Sequence, residues 1–301
     1  MTQSDRHEHA PVSYGRIFAI GIALNVGFVV IEAFYGWHTQ SLALLADAGH
    51  NLSDVAGLLL AWAAVGAARL RPNARHTYGW RRGSILASFA NAVILLLAMG
   101  SLGWEAIQRL QTPAHIEANT VMVVAGIGVL INAATAAMFM AGSKTDLNIR
   151  GAFLHMAADA LVSVGVVISA ALYMWHSWTW IDPVVSLVIA VVVVIGTWSL
   201  FHRSLHLLFD GVPESVDLDA VRDCLLALPG VAEVHDLHVW AMATNENALT
   251  AHLVLKEGTS QTCGIIEQAR ENLHELFEIQ HVTLQVETTD QAALCPAMHC
   301  S

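Results

Sequence analysis

Six apolar runs in the first two hundred residues constrain this chain more than any other feature. They cover about Arg16–Trp37, Ser41–Ala68, Gly83–Ile107, Asn119–Ala141, Gly151–Trp175 and Asp182–Phe201. A helix needs roughly 20 mainly apolar residues to cross a bilayer, and each run reaches or approaches that length. Hydrocarbon offers no partner to a free backbone N–H or C=O, so such runs must pair their backbone internally, as helices do. Composition agrees: the chain is 55% hydrophobic and 13% charged, with a mean hydropathy of +0.53. That lies outside the profile of a soluble globular domain. The expectation is an all-α bundle of six transmembrane helices over residues 16–208. It follows a polar tail, residues 1–15, with no cleavable secretory leader.

Two of these runs carry matched ionisable pairs. His50 and Asp54 interrupt the second run, and His155 and Asp159 interrupt the fifth. A spacing of four puts both side chains of each pair on one helix face, about one turn apart. An Asp at the centre of a span costs roughly 2.5–3.5 kcal/mol or more, so four such groups in matched pairs point to function. Two imidazoles and two carboxylates converging from two helices would make a tetrahedral nitrogen/oxygen site, a donor set that suits zinc. The plainer reading is a set of interhelical hydrogen bonds that only holds the bundle. Asp47, one turn before His50, and Glu32 in the first run are candidate proton-relay residues. Asn25 and Asn132 are expected to bridge helices by hydrogen bonds. Measured from the outer ends of spans 2 and 5, the two pairs differ in depth by about 10 Å at 1.5 Å per residue. A fifth span that begins earlier, near Asp146, is therefore favoured, with the site near mid-depth.

Positive charge sets the orientation. Arg69, Arg71, Arg75, Arg81 and Arg82 fall in the 2–3 loop, and Lys144 and Arg150 in the 4–5 loop. On the other side only Arg109 appears, near the 3–4 loop. Lys and Arg favour the cytoplasmic side, so both termini are expected there, and compact loops suggest a bacterial inner membrane. Trp37, Trp104, Trp175, Trp178 and Trp180 cluster near the outer ends as an aromatic belt. A net charge of −11 gives no reason to expect nucleic acid.

From residue 209 to 290 the pattern changes. Val216–Leu228 reads as an amphipathic helix with an acidic start, Val231–Met242 and Ala248–Lys256 as strands, Gln261–Phe277 as a second helix and His281–Glu287 as a third strand. The order is α-β-β-α-β, a small cytoplasmic α+β domain, followed by a tail over residues 291–301. All four cysteines, Cys224, Cys263, Cys295 and Cys300, lie in this last third. In a cytosolic setting they are thiols or metal ligands rather than disulfides.

The stretch Ser41-Leu-Ala-Leu-Leu-Ala-Asp-Ala-Gly-His50 running into Asp54 carries a resemblance, together with His76-Thr-Tyr-Gly-Trp-Arg-Arg82 and the His155/Asp159 pair. They resemble the cation diffusion facilitator family, in its zinc-transporting, cobalt–zinc–cadmium-resistance type, over nearly the whole chain. The resemblance implies a homodimer that exchanges divalent metal for protons and a metallochaperone-like (ferredoxin-like) cytoplasmic domain. It implies His50, Asp54, His155 and Asp159 as the transport site. His at the first position goes with zinc, and Asp there with broader cadmium, iron or manganese handling. His76 matches a loop histidine that binds metal in some members. Arg82 and Asp210 match a basic–acidic pair that locks the dimer in some relatives. His235, His252 and Glu287 stand where the cytoplasmic domain binds metal, and Gln285 replaces a histidine used by some bacterial members. Cys295 and Cys300 resemble a C-terminal cysteine pair, which His7 and His9 would complete.

Metal needs neutral imidazole and ionised carboxylate, so binding expels protons and proton loading expels metal. Imidazole, with an ordinary pKa of ~6.5, makes that exchange workable near neutral pH. The expected function is therefore a zinc/proton antiporter that exports zinc, with cadmium and cobalt as further cargo and zinc also bound as a regulator. The alternative is a membrane-anchored metal sensor that binds without transporting. An intramembrane metal enzyme is disfavoured, because the HExxH zinc pattern is absent from the sequence.

Overall fold

The computed structural model describes residues 15–68, 70–112, 114–140, 147–259 and 262–289. Six long helices come first: α1 (Gly15–His38), α2 (Leu42–Ala68), α3 (Gly83–Gln111), α4 (Ala118–Met140), α5 (Leu147–His176) and α6 (Ile181–Leu208). Among the described residues, four stretches are long and apolar enough to cross a membrane: Gly83–Gln111, Ala118–Met138, Phe153–His176 and Ile181–Leu208. α5 begins at Leu147, in line with the early start expected for the fifth run. α3 and α6 run on past the expected ends of their spans, to Gln111 and Leu208.

The chain forms two compact units. Among the described residues, one comprises those up to Leu58 with Ile94–Thr197, and the other Leu59–Val93 with those from Trp198 onward. The first unit packs around small and medium side chains: Ala43, Ala46, Ala125, Ala170 and Ala190 with Phe28, Leu44, Met99, Val121 and Val166. Small residues let helix backbones approach closely where hydrophobic burial gives little drive. Gly128 shows the effect, since a Cβ there would sit 2.7 Å from the Phe28 ring. The outward surface carries large apolar side chains such as Leu97, Leu130 and Leu161, each about 70% exposed.

In the turn between α1 and α2 only Gln40 is exposed; Thr39 and the start of α2 are buried. Thr39, Ser41, Leu42, Ala43 and Leu44 are all nearly inaccessible. A buried helix start must find acceptors for its free N–H groups. Asp182, at the start of α6, supplies them by accepting from Leu42 N at 2.9 Å and from Ser41 Oγ at 2.6 Å. Arg109 of α3 donates to the Gln40 carbonyl beside this turn. Asn25 reaches Met156 Sδ at 3.4 Å, so it does bridge helices. The buried Nδ2 of Asn132 has no hydrogen-bond partner.

The second unit ends in a small α+β domain: α7 (Leu218–Leu226), β1 (Val231–Ala243), β2 (Glu246–Leu255), α8 (Thr262–Phe277) and β3 (Ile279–Thr288). Asp217 caps α7, accepting from Asp219 N and Ala220 N. The sheet order is β1-β2-β3. β1 pairs antiparallel with β2 through a hairpin, and β3 pairs parallel with β2, a pairing that needs the α8 crossover. Val221, Leu225, Val234, Leu249, Leu253, Ile265, Ala269 and Leu273 fill the core between the helices and the sheet. Gly230, at φ +93, makes the turn into β1.

The segment before α3 is tied to this domain. Asn73 Oδ1 accepts from the backbone N–H groups of Arg75 and His76. Arg81 Nη1 lies 2.5 Å from Glu246 Oε2 and 2.7 Å from His281 Nε2. Thr244 N donates to Ser84 Oγ at 3.1 Å, and Arg82 pairs with Asp210.

Candidate metal centres

His50 stands eight residues into α2 (50 against a start at 42), and His155 eight into α5 (155 against 147). At 1.5 Å per residue each lies about 12 Å beyond its helix start. The structure brings all four residues together. His50 Nε2 lies 3.4 Å from Asp159 Oδ1 and 3.9 Å from Asp54 Oδ2. His155 Nε2 lies 3.2 Å from Asp54 Oδ2 and 3.7 Å from Asp159 Oδ2. Zinc–ligand bonds of about 2.0–2.1 Å in a tetrahedron put neighbouring ligand atoms about 3.3 Å apart. The two contacts between helices, 3.2 and 3.4 Å, match that edge, and the two within a helix, 3.7 and 3.9 Å, exceed it.

These approaches are not hydrogen bonds. Asp54 Oδ2, Asp159 Oδ1 and His50 Nδ1 are buried without a hydrogen-bond partner. Buried polar atoms in that condition are rare, and a cation is one thing that satisfies them. His50, Asp54 and Asp159 each offer one donor atom within 4.8 Å of the others, and His155 completes the set from its edge. Access is uneven, because Asp159 is 2% exposed whereas His155 is 41% exposed.

Beside the quartet runs a buried polar chain. Asn51 Nδ2 donates to Glu32 Oε2 at 3.2 Å and makes a long 3.5 Å contact with Asp47 Oδ1. Ser163 Oγ of α5 donates to Asp47 Oδ2 at 2.7 Å. The sequence points to Glu32 and Asp47 but not to Asn51 and Ser163. The available signal was spacing: Ser163 continues the His155, Asp159 series at four-residue steps, and Asn51 adjoins His50.

A second cluster lies on one sheet face. His235 and His252 are directly paired across β1 and β2. Gln285 is paired with His252, and Glu287 follows two residues along β3 on the same face. His235 Nε2 lies 3.1 Å from Glu287 Oε2, and His252 Nδ1 lies 2.9 Å from Glu287 Oε1. Glu287 is buried, and Gln285 Nε2 donates to its Oε1 at 2.7 Å. Sequence reading missed Asp236. It adopts φ +50 in the irregular stretch between His235 and His238, a conformation that Asp tolerates. Its Oδ2 lies 3.5 Å from His252 Nε2, and its Oδ1 lies 3.0 Å from His238 Nε2. A strand bulge cannot be read from alternation alone, which is why its position was hidden.

The remaining candidates divide. His76 stacks on Trp80, ring centroids 4.1 Å apart, and belongs to neither cluster of donor atoms among the described residues. Arg82 and Asp210 meet within one chain as an exposed pair. Cys224 is half-buried and Cys263 exposed, both as free thiols. His7, His9, Cys295 and Cys300 lie outside the described residues.

Comparison with known proteins adds an independent line. A model of the cation efflux transmembrane domain matches residues 18–209, and a model of the cation efflux protein cytoplasmic domain matches residues 213–289. The metal cation efflux system protein CzcD of Cupriavidus metallidurans is 36% identical over 281 residues, 93% of this chain and 89% of that protein. The cadmium, cobalt and zinc/H(+)-K(+) antiporter of Bacillus subtilis is 34% identical over 297 residues, 96% of this chain and 95% of the relative. The zinc transporter ZitB of Escherichia coli is 36% identical over 273 residues, 90% and 86% of the two chains.

Proposed function

This chain belongs to the cation efflux family of multi-pass membrane metal transporters, and on that premise we propose that it exports zinc from the cytoplasm in exchange for protons. The observation that carries the reading is the quartet: two imidazoles and two carboxylates from α2 and α5 at separations close to a tetrahedral edge. The mixed nitrogen/oxygen donor set favours zinc over hard, oxygen-seeking ions. Cadmium and cobalt are further cargo, in line with the names of the relatives. His50, Asp54, His155 and Asp159 give up protons as the cargo binds and take protons as it leaves.

In the same reading all six long helices span the membrane, with both termini and the α+β domain on the cytoplasmic side of a bacterial inner membrane. Two copies associate through the cytoplasmic domain, and Arg82 with Asp210 steadies the assembly near the membrane surface. His235, His252 and Glu287, with Asp236 as a fourth donor, hold a regulatory zinc. His76, and Cys295 with Cys300, are secondary metal positions. Glu32 and Asp47 relay protons.

The test is zinc entry into liposomes that contain the purified protein and a trapped zinc fluorophore, under an imposed pH gradient. Gradient-dependent flux in the wild type, absent from Asp159→Ala, supports the reading. Tight zinc binding without flux in the wild type would replace it with the membrane-anchored sensor.

A further inference from the structure

The Glu32–Asn51–Asp47–Ser163 chain has an unbalanced charge. Glu32 and Asp47 are each 0% exposed. The Asn51 amide nitrogen lies between them, 3.2 Å from Glu32 Oε2 and 3.5 Å from Asp47 Oδ1. The side-chain donors directed at them are the Asn51 amide and the Ser163 hydroxyl, both neutral. Glu32 Oε1 is buried with no hydrogen-bond partner. No Lys or Arg is paired with either carboxyl in any ion pair among the described residues. Buried carboxylates need a matching positive charge, and among the described residues no Lys or Arg supplies one; the nearest imidazole, His50, belongs to the quartet.

Among the described residues, the acceptors in these contacts are all oxygens, those of the two carboxyls, while Asn51 presents its amide N–H and Ser163 its hydroxyl. No imidazole or thiol takes part in these contacts. Oxygen donors suit protons and hard cations, whereas zinc favours sites with nitrogen or sulfur. We propose that Glu32, Asp47, Asn51 and Ser163 form a second cation site, separate from the quartet, that holds the counter-ion of transport. The occupant is a hard monovalent cation, a proton or an alkali ion. The role as counter-ion site rests on the transport reading above, while cation binding itself does not.

The placement links the two sites. Asp47 and Asn51 share α2 with His50 and Asp54, and Ser163 lies one turn beyond Asp159 on α5. Occupying either site therefore acts on the same two helices. Because both sites sit on shared elements, their occupancies are linked, and linkage is reciprocal.

Two measurements on the full-length protein test the proposal. The first is infrared difference spectroscopy with thermal unfolding, in potassium, sodium or choline chloride. A protonated-carboxyl band at neutral pH that disappears in Glu32→Gln, and is indifferent to potassium and sodium, identifies the proton. Absence of that band, with potassium- or sodium-specific thermal stabilisation lost in Glu32→Gln, identifies an alkali ion. Neither signal overturns the site, whether or not the protein moves zinc. The second is zinc flux in liposomes with either a pH or a potassium gradient. In Glu32→Gln, zinc binding at the quartet is retained while gradient-driven flux falls about tenfold, within the usual range of coupling between sites. Unchanged gradient dependence overturns the counter-ion role. Loss of zinc binding in a monodisperse, folded variant would make Glu32 part of the zinc site instead. Asp47→Asn serves in both assays if Glu32→Gln does not fold, with the same outcomes.

Discussion

His50 lies nearer to the carboxylate of Asp159 on another helix, at 3.4 Å, than to Asp54 one turn along its own, at 3.9 Å. His155 does the same in reverse, 3.2 Å from Asp54 and 3.7 Å from Asp159. The two pairs interlock crosswise, so neither helix holds half a site that works alone. Asp54→Asn and Asp159→Asn should each lower zinc affinity by at least about 100-fold, since loss of mere outer-sphere partners costs 10–100-fold. The double variant should fall well short of the sum of the two losses. Calorimetric titration of the purified protein, with the sheet cluster removed by His252→Ala, checks both points. Additive losses would mean that the pairs act independently.

His50→Asp should broaden the cargo. Replacing an imidazole with a carboxylate leaves one nitrogen among four donors and favours harder ions. Manganese transport should rise relative to zinc in competition assays. Unchanged selectivity would place discrimination outside the quartet.

Zinc at the sheet cluster should stabilise the protein in a pH-dependent way. Protons compete with zinc for the imidazole nitrogens, so the zinc-induced stabilisation should weaken as the pH is lowered. Thermal unfolding of Asp159→Ala, with and without zinc, isolates this cluster. The zinc-induced rise in Tm should vanish in an added His252→Ala, and in Asp236→Ala it should shrink. A full rise in Asp236→Ala would remove Asp236 from the ligand set.

Asp182→Ala should lower stability by about 2 kcal/mol, because it strands the buried Leu42 N–H and the Ser41 hydroxyl. Asp182→Asn keeps one acceptor oxygen and should lose less. Reversible unfolding in detergent reads the difference, and equal losses would show that charge rather than capping matters there.

Arg81→Ala should loosen the segment before α3 from the sheet domain. Glu246 and His281 would both lose their partner. The pair is about one-third exposed, so global stability should change by less than ~1 kcal/mol. Hydrogen exchange over residues 73–80 should rise sharply. No change there would show that the Ser84–Thr244 bond suffices.

Hydropathy and spacing made much of this legible from the sequence. Apolar runs located the long helices, within about four residues except at the end of α6, and alternation located all three strands. The quartet was readable because ionisable groups inside apolar runs stand out against a silent background. What stayed hidden depends on tertiary placement. Asp182 looks like an ordinary helix start until Leu42 is seen to be buried against it. Ser163 is one serine among many until it meets Asp47. Asp236 enters the sheet cluster only through a positive φ, which no periodicity reports. Asn132 was expected to bond across helices because a buried amide usually finds a partner, yet its Nδ2 finds none.

The short turn between α1 and α2 has a mechanical consequence. Three residues long and held by Asp182 and Arg109, it leaves little slack between the two helices. The hairpin therefore behaves as one lever, carrying Glu32, Asp47, His50, Asn51 and Asp54 together. α5 carries the opposing groups, His155, Asp159 and Ser163. The polar contacts that join the quartet and Asp47 to α5 lie side by side. A motion that parts them opens the quartet and breaks the Ser163–Asp47 bond in the same stroke.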